Sequence, residues 1–172
     1  MKTNCWFNRN RLLSHLRIAT AGTFISTAAA MALFATLPVS SAHALTQEEI
    51  AIVYRITSVE QVAEDQLVFT VKGQGSSKSL GAFTAMATYT ETFIPDACAH
   101  VTGDVTISVG GDVLYVQEDD TYCGGHVISG TYKVGGGTGQ FLNAIGNGTV
   151  AGSGSLDFNG RTVVRYFGAL SF

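Results

Sequence analysis

The stretch Tyr132-Lys-Val-Gly-Gly-Gly-Thr-Gly-Gln-Phe-Leu-Asn-Ala-Ile-Gly-Asn-Gly-Thr-Val150 decides how this chain is read. Three consecutive glycines, then Thr-Gly, suggest either a phosphate-cradling loop or a device that bends a sheet. Spacing separates the two. A P-loop needs Lys-Ser or Lys-Thr after its second conserved glycine, and the next basic residue here is Arg161. A dinucleotide fingerprint needs a third glycine opening a helix, whereas Gly137-x-Gly139 runs into Gln140, Phe141 and Leu142. Four more glycines follow by Gly154, too many for a stable helix. The structural reading remains. Gly135, Gly136, Gly137 and Gly139 supply the freedom for a sharp bend or bulge, and Phe141 is the apolar plug beside it. Gly146, Gly148, Gly152 and Gly154 suit a tightly coiled strand or one facing large side chains. Asn147-Gly148-Thr149 matches a glycosylation sequon, but Asn-Gly is also a turn former, and the turn is expected.

The segments around this stretch alternate with period two. Val101, Gly103, Val105, Ile107 and Val109 share one face. Phe83, Ala85, Ala87, Tyr89 and Phe93 share another, as do Leu67, Phe69 and Val71. Ile128, Tyr132 and Val134 turn inward, and so do Val164, Tyr166, Leu170 and Phe172. Expected strands cover 50–56, 66–73, 81–93, 101–109, 112–122, 126–135, 146–158 and 161–172. One capping-box turn of helix is expected at Thr46–Glu49. Eight short strands between glycine-rich turns give an all-β class. An antiparallel sheet with one apolar face and a Thr-rich outer face fits an eight-stranded antiparallel barrel.

Before this domain lies a segment of another kind. Residues 1–17 carry Lys2, Arg9, Arg11 and Arg17 and no acid, and residues 18–37 are uncharged. Ala42-His43-Ala44 then gives a small-x-small cleavage pattern, so residues 1–44 are expected to be a secretory signal peptide. The mature domain is residues 45–172, exported to a periplasmic or extracellular compartment. Its six basic and 13 acidic residues give a net charge of −7, which argues against nucleic-acid and anionic-membrane partners. Cys98 and Cys123 remain in it. An exported chain with an even cysteine count favours a disulfide, with free thiols and, given the following His100 and His126, a Cys2His2 metal site as the alternatives.

The stretch Gly130–Val150 is similar to the GGTG-x-F-x-x-A-x-G signature of the allene oxide cyclase barrels and, more loosely, of dirigent proteins. Residues 73–90, "GQGSSKSLGAFTAMATYT", resemble the corresponding opening of bacterial secreted β-barrel proteins sharing that signature. The resemblance implies a calycin-like barrel with a lumen, assembled as dimers or trimers. It does not carry over the cyclase reaction. Val53–Ile56 looks like the family's first strand, but Arg55 stands where the catalytic carboxylate would be and Thr57 where its neighbouring Asn would be.

Candidate chemistry is sparse. Glu91 shares the apolar phase of Phe83–Phe93, so it is the candidate catalytic acid or base, with the rim of the barrel as its other placement. Tyr54, Tyr89, Tyr115, Tyr122 and Tyr132 are candidates to present hydroxyls to a ligand, and His126 shares the inward phase of Ile128. Gln117–Thr121 groups three acids without calcium-loop spacing and reads as a solvated turn. No metal site, organic cofactor or nucleophile elbow is expected. The leading reading is a secreted barrel binding a small apolar or amphipathic molecule. A cyclase or isomerase and a structural or surface-interaction module with a filled core are the alternatives.

Overall fold

A computed structural model describes residues 45–94 and 98–172. The expected signal peptide lies outside the described residues. Eight strands run β1 (Thr46–Ala63), β2 (Gln66–Ser77), β3 (Gly81–Thr92), β4 (Ala99–Val109), β5 (Asp112–Cys123), β6 (Val127–Gly137), β7 (Ile145–Gly154) and β8 (Arg161–Ser171). Each pairs antiparallel with its sequence neighbours, and β1 pairs with β8 to close the barrel. Closure leaves no strand edge for another chain to pair with.

The inward faces expected from alternation are the buried ones. Ile52, Ile56, Ile107 and Leu114 are fully enclosed, among a core running through all eight strands. Their burial is the main driving force for the fold. Threonines and the scarce cations take the outer positions.

The two ends of the barrel differ. One end gathers the start of β1, the turns after β2 and β4, the connection after β6, and Phe172. Here the glycine stretch does its work. β5 and β6 slip register between Leu114 and Val116, opposite Gly135 and Gly136. Gly136 adopts φ +88° and Gly139 φ +53°, both in the left-handed region. A β-carbon on Gly139 would also overlap the Asp112 carboxylate. Thr138 locks the bend, its N–H donating to Val113 O at 2.7 Å and its hydroxyl accepting from Val113 N–H at 2.9 Å. A single 3-10 turn, Gly139–Phe141, then drives Phe141 into the barrel, where it is fully buried and meets Phe172 edge-on at 5.0 Å. Phe141 is the expected plug.

The opposite end carries the turns after β1, β5 and β7 and the Cys98–Cys123 disulfide, whose Cα atoms lie 4.5 Å apart. The bridge ties the start of β4 to the end of β5 and excludes the Cys2His2 alternative.

Several expectations are corrected. Thr46–Glu49 is strand rather than helix, because it pairs with the C-terminal strand from Thr46↔Leu170 onward. β2 runs on to Ser77 through a stretch expected to turn. β7 ends at Gly154 rather than at 158, where Ser155 Oγ and Asp157 Oδ2, 2.7 Å apart, start the next turn. Asn147-Gly148 lies within β7, not in a turn, since β6 and β8 pair with it on both sides. Phe93 stands exposed just past β3, where its N–H donates to Asp65 O at 2.8 Å and the chain leaves the sheet.

Candidate functional site

Glycines on the inner wall create the room into which polar rings fold. A β-carbon on Gly103 of β4 would overlap the Tyr89 ring, one on Gly73 of β2 would press on Tyr54, and those on Gly148 and Gly168 would press on Tyr132. The tyrosines therefore lie flat against bare backbone across the barrel. Tyr89 stacks on Phe69 at 5.3 Å between ring centres, and Tyr132 meets Tyr166 edge-on at 5.3 Å. These contacts place tyrosine hydroxyls from β1, β3 and β8 near one point of the lumen.

At that point sits Glu118 of β5. Tyr89 donates to both of its carboxyl oxygens at 3.1 Å, and Tyr166 donates to Oε1. The Tyr54 hydroxyl is 3.4 Å from that of Tyr166. Two residues along β5, Asp120 faces the same lumen over Gly130, whose β-carbon would overlap Asp120 Oδ1. Glu118 is 5% exposed and Asp120 3%.

Two forces act on these carboxyls. Burial disfavours charge on both, and the Asp120 carboxylate further disfavours ionisation of Glu118. The tyrosine hydroxyls oppose this by donating to the anion. Burial and Asp120 prevail at Glu118, whose pKa is pushed well above the usual carboxylate range. Burial pushes Asp120 up to about 6, partly offset by a hydrogen bond with Glu118, while the charge of Asp119 adds to the rise. Burial, followed by the negative charge of Glu118, also raises Tyr54, Tyr89 and Tyr166, which therefore remain hydroxyl donors. Among the described residues no cation offsets the pair. Arg55, Lys72, Lys78, Lys133, Arg161 and Arg165 are all exposed on the outside of the barrel. The lumen thus holds two neighbouring buried carboxyls, both with raised pKa values.

A cavity of about 30 Å³ lies beside the pair. Tyr54, Phe69, Tyr89, Glu118 and Asp120 line its inner part, and Val101, Tyr122, Ile128 and Leu156 line it toward the disulfide-bearing end. Its wall is overwhelmingly apolar. The space holds one or two waters or a compact head group. The other half of the lumen is filled by Leu80, Phe83, Leu114, Val134 and Phe141.

The structure places the expected site residues as follows. Tyr54 and Tyr89 join the cluster. Tyr132 is buried, but it packs behind Tyr166 and does not line the cavity. Glu91 faces inward as the last inward residue of β3, 4% exposed, and burial raises its pKa. Burial raises the pKa of Tyr122 at the cavity mouth, a hydrogen bond with the Leu156 backbone opposes it, and the charge of Glu91 adds a smaller rise. His126 is corrected: it is exposed in the turn before β6, its Nδ1 2.6 Å from Gly124 O. Gly124 and Gly125, with φ +60° and +72°, turn the chain there before the inward alternation begins. Tyr115 is also outside, 44% exposed.

Sequence reasoning missed Glu118 and Asp120, and it read Tyr166 as an inward residue without counting it among the hydroxyl candidates. Gln117–Thr121 lies in β5, as the expected strand over 112–122 has it, and is not a solvated turn, because it pairs continuously with both β4 and β6. The signal was present in the phase of β5: Leu114, Val116, Glu118 and Asp120 lie at every second position. Asp119 faces out and meets His100 Nε2 at 2.7 Å.

Comparison with models of known protein families and with curated proteins finds no match for this chain.

Proposed function

We propose that this chain is an exported β-barrel that binds a small amphipathic molecule in the disulfide-bearing half of its lumen. The ligand's polar end is seated on Glu118 and Asp120, and its apolar part lies between Val101, Tyr122, Ile128 and Leu156. One observation carries this reading: a pair of buried carboxyls, with no opposing cation among the described residues, stands at the floor of an apolar cavity. Burying such groups is costly, and a core serving stability alone is better built from apolar side chains. Apolar pockets with a few convergent polar groups of shifted pKa are the usual form of small-molecule sites. Export is supported by the signal-like residues 1–44 and by the disulfide, which persists in oxidising compartments.

Native mass spectrometry tests this on protein secreted from the full-length gene by its own host. Wild type is expected to carry a non-covalent small-molecule mass that Val101→Phe, which fills the cavity, lacks. Bare protein in both cases would contradict the reading and favour a filled-core structural module.

A second reading, a cyclase or isomerase, draws on the same cluster. A neutral Glu118 beside three tyrosine hydroxyls is a proton donor held away from water, as acid catalysis requires. In this reading Glu118, rather than Glu91, transfers the proton. Glu118→Gln would then lower kcat for the recovered ligand far more than it weakens binding, whereas a loss of binding alone would leave no catalytic role for Glu118.

A further inference from the structure

Glu118 and Asp120 set two buried carboxyls beside one cavity, and among the described residues no cation faces them. The tyrosine donors around it are already committed. Tyr89 and Tyr166 both donate to Glu118, and Tyr54 lies against Tyr166. Asp120 is served differently. Its Oδ1 is completely buried and meets no N–H or O–H donor among the described residues, although Asp120 lines the cavity. A buried acceptor left without a donor is costly, on the order of 1–3 kcal/mol, and more when charged. What the site lacks is therefore both a hydrogen-bond donor and a positive charge.

Two kinds of cation could supply the charge. A hard metal ion such as calcium needs six to eight oxygen ligands. The cavity offers two carboxyls set in apolar walls, and the described residues contain no group of three or more acidic, histidine or cysteine side chains placed to hold a metal. An ammonium group needs less. It carries three donors, matches the carboxyl oxygens and fits a cavity of about 30 Å³. The net charge of −7 on residues 45–172 further draws cations to the barrel.

The geometry points to a primary amine with a compact apolar body as the ligand class of the lumen, its ammonium group bound to Asp120 and Glu118. This inference rests on the lumen-binding reading above and specifies its ligand.

Isothermal titration calorimetry of the disulfide-bonded protein at pH 7.5 with 2-phenylethylamine, 2-phenylethanol and calcium chloride tests it. The amine is expected to bind at least tenfold more tightly than the alcohol of the same shape, and calcium is expected to give no heat of binding. Asp120→Asn, which keeps size and shape, should weaken the amine at least tenfold and leave the alcohol within about twofold. The alcohol comparison needs no variant, so the inference stays open to refutation if Asp120→Asn fails to fold. Equal binding of amine and alcohol to wild type would overturn the amine assignment and leave the lumen-binding reading standing. Binding of calcium in place of the amine would overturn it in favour of a metal. No binding of any probe, together with no co-purifying mass, would overturn both readings.

Discussion

Tyr166 on β8 donates its hydroxyl to Glu118 on β5, across the lumen from one side of the closed sheet to the other. The bond links strands that are not neighbours, so it forms only when the barrel has closed. The same carboxyl takes a second tyrosine from β3. The polar centre of this protein is therefore a product of closure, not of any one hairpin.

The raised pKa values of the two carboxyls there make stability depend on pH. Asp120 and Glu118 both have pKa values raised on folding, so the folded state binds protons more tightly than the unfolded chain. Their contribution is full below the unfolded carboxylate range and is lost as pH rises, through about 6 for Asp120 and beyond that for Glu118. Glu48, whose pKa is lowered by hydrogen bonds from Ser77 and Ser79 that outweigh its burial, works in the opposite sense at low pH. Comparison with a variant isolates the cluster. Wild type should lose melting temperature between pH 5 and about pH 8 relative to Glu118→Gln, as followed by circular dichroism, because glutamine has no proton to lose.

Phe141 should be among the most costly side chains to truncate. It is fully buried against Phe172, and its loss opens the plugged end. Phe141→Ala is expected to cost about 3–5 kcal/mol in urea unfolding. A cost below about 1 kcal/mol would mean that the glycine stretch turns without plugging anything.

Gly103 and Tyr89 test how the lumen is filled. A methyl group on Gly103 would overlap the Tyr89 ring, which has Phe69 stacked against it. Gly103→Ala should destabilise the barrel by about 1–3 kcal/mol. It should also displace the Tyr89 hydroxyl from Glu118, shifting tyrosine absorbance near 280 nm, whereas Gly110→Ala, in an open turn at the far end, should leave that absorbance unchanged.

The disulfide closes a loop with a sequence separation of 25 residues at the open end. Replacing Cys98 and Cys123 by serine should cost about 3 kcal/mol in urea unfolding under oxidising conditions. Addition of a thiol reductant should bring wild type to the same stability.

The barrel was legible because its signals are local. Period-two alternation set the inward faces of β3, β4, β6 and β8. The missing lysine and third glycine removed the nucleotide reading of Gly135–Gly139, and Phe141 proved to be the plug. The site was legible only in part. Tyr54 and Tyr89 carried the right phase, but nothing in a single strand says that their hydroxyls meet at Glu118. Charge also outweighed phase at Gln117–Thr121, since three acids together usually mean a solvated turn. Pairing with β4 and β6 holds those residues in strand and turns Glu118 and Asp120 inward. His126 erred the other way: its phase matched Ile128, but strand pairing starts only at Val127, so the alternation did not apply.

The central claim is that Glu118 holds a proton inside the lumen. Carbon-13 NMR of glutamate-labelled protein, with the Glu118 carboxyl resonance assigned by its absence in Glu118→Gln, measures this directly. The account predicts a carboxyl that remains protonated at pH 7. Titration near the ordinary value of 4.5 would contradict it and show a lumen open to water.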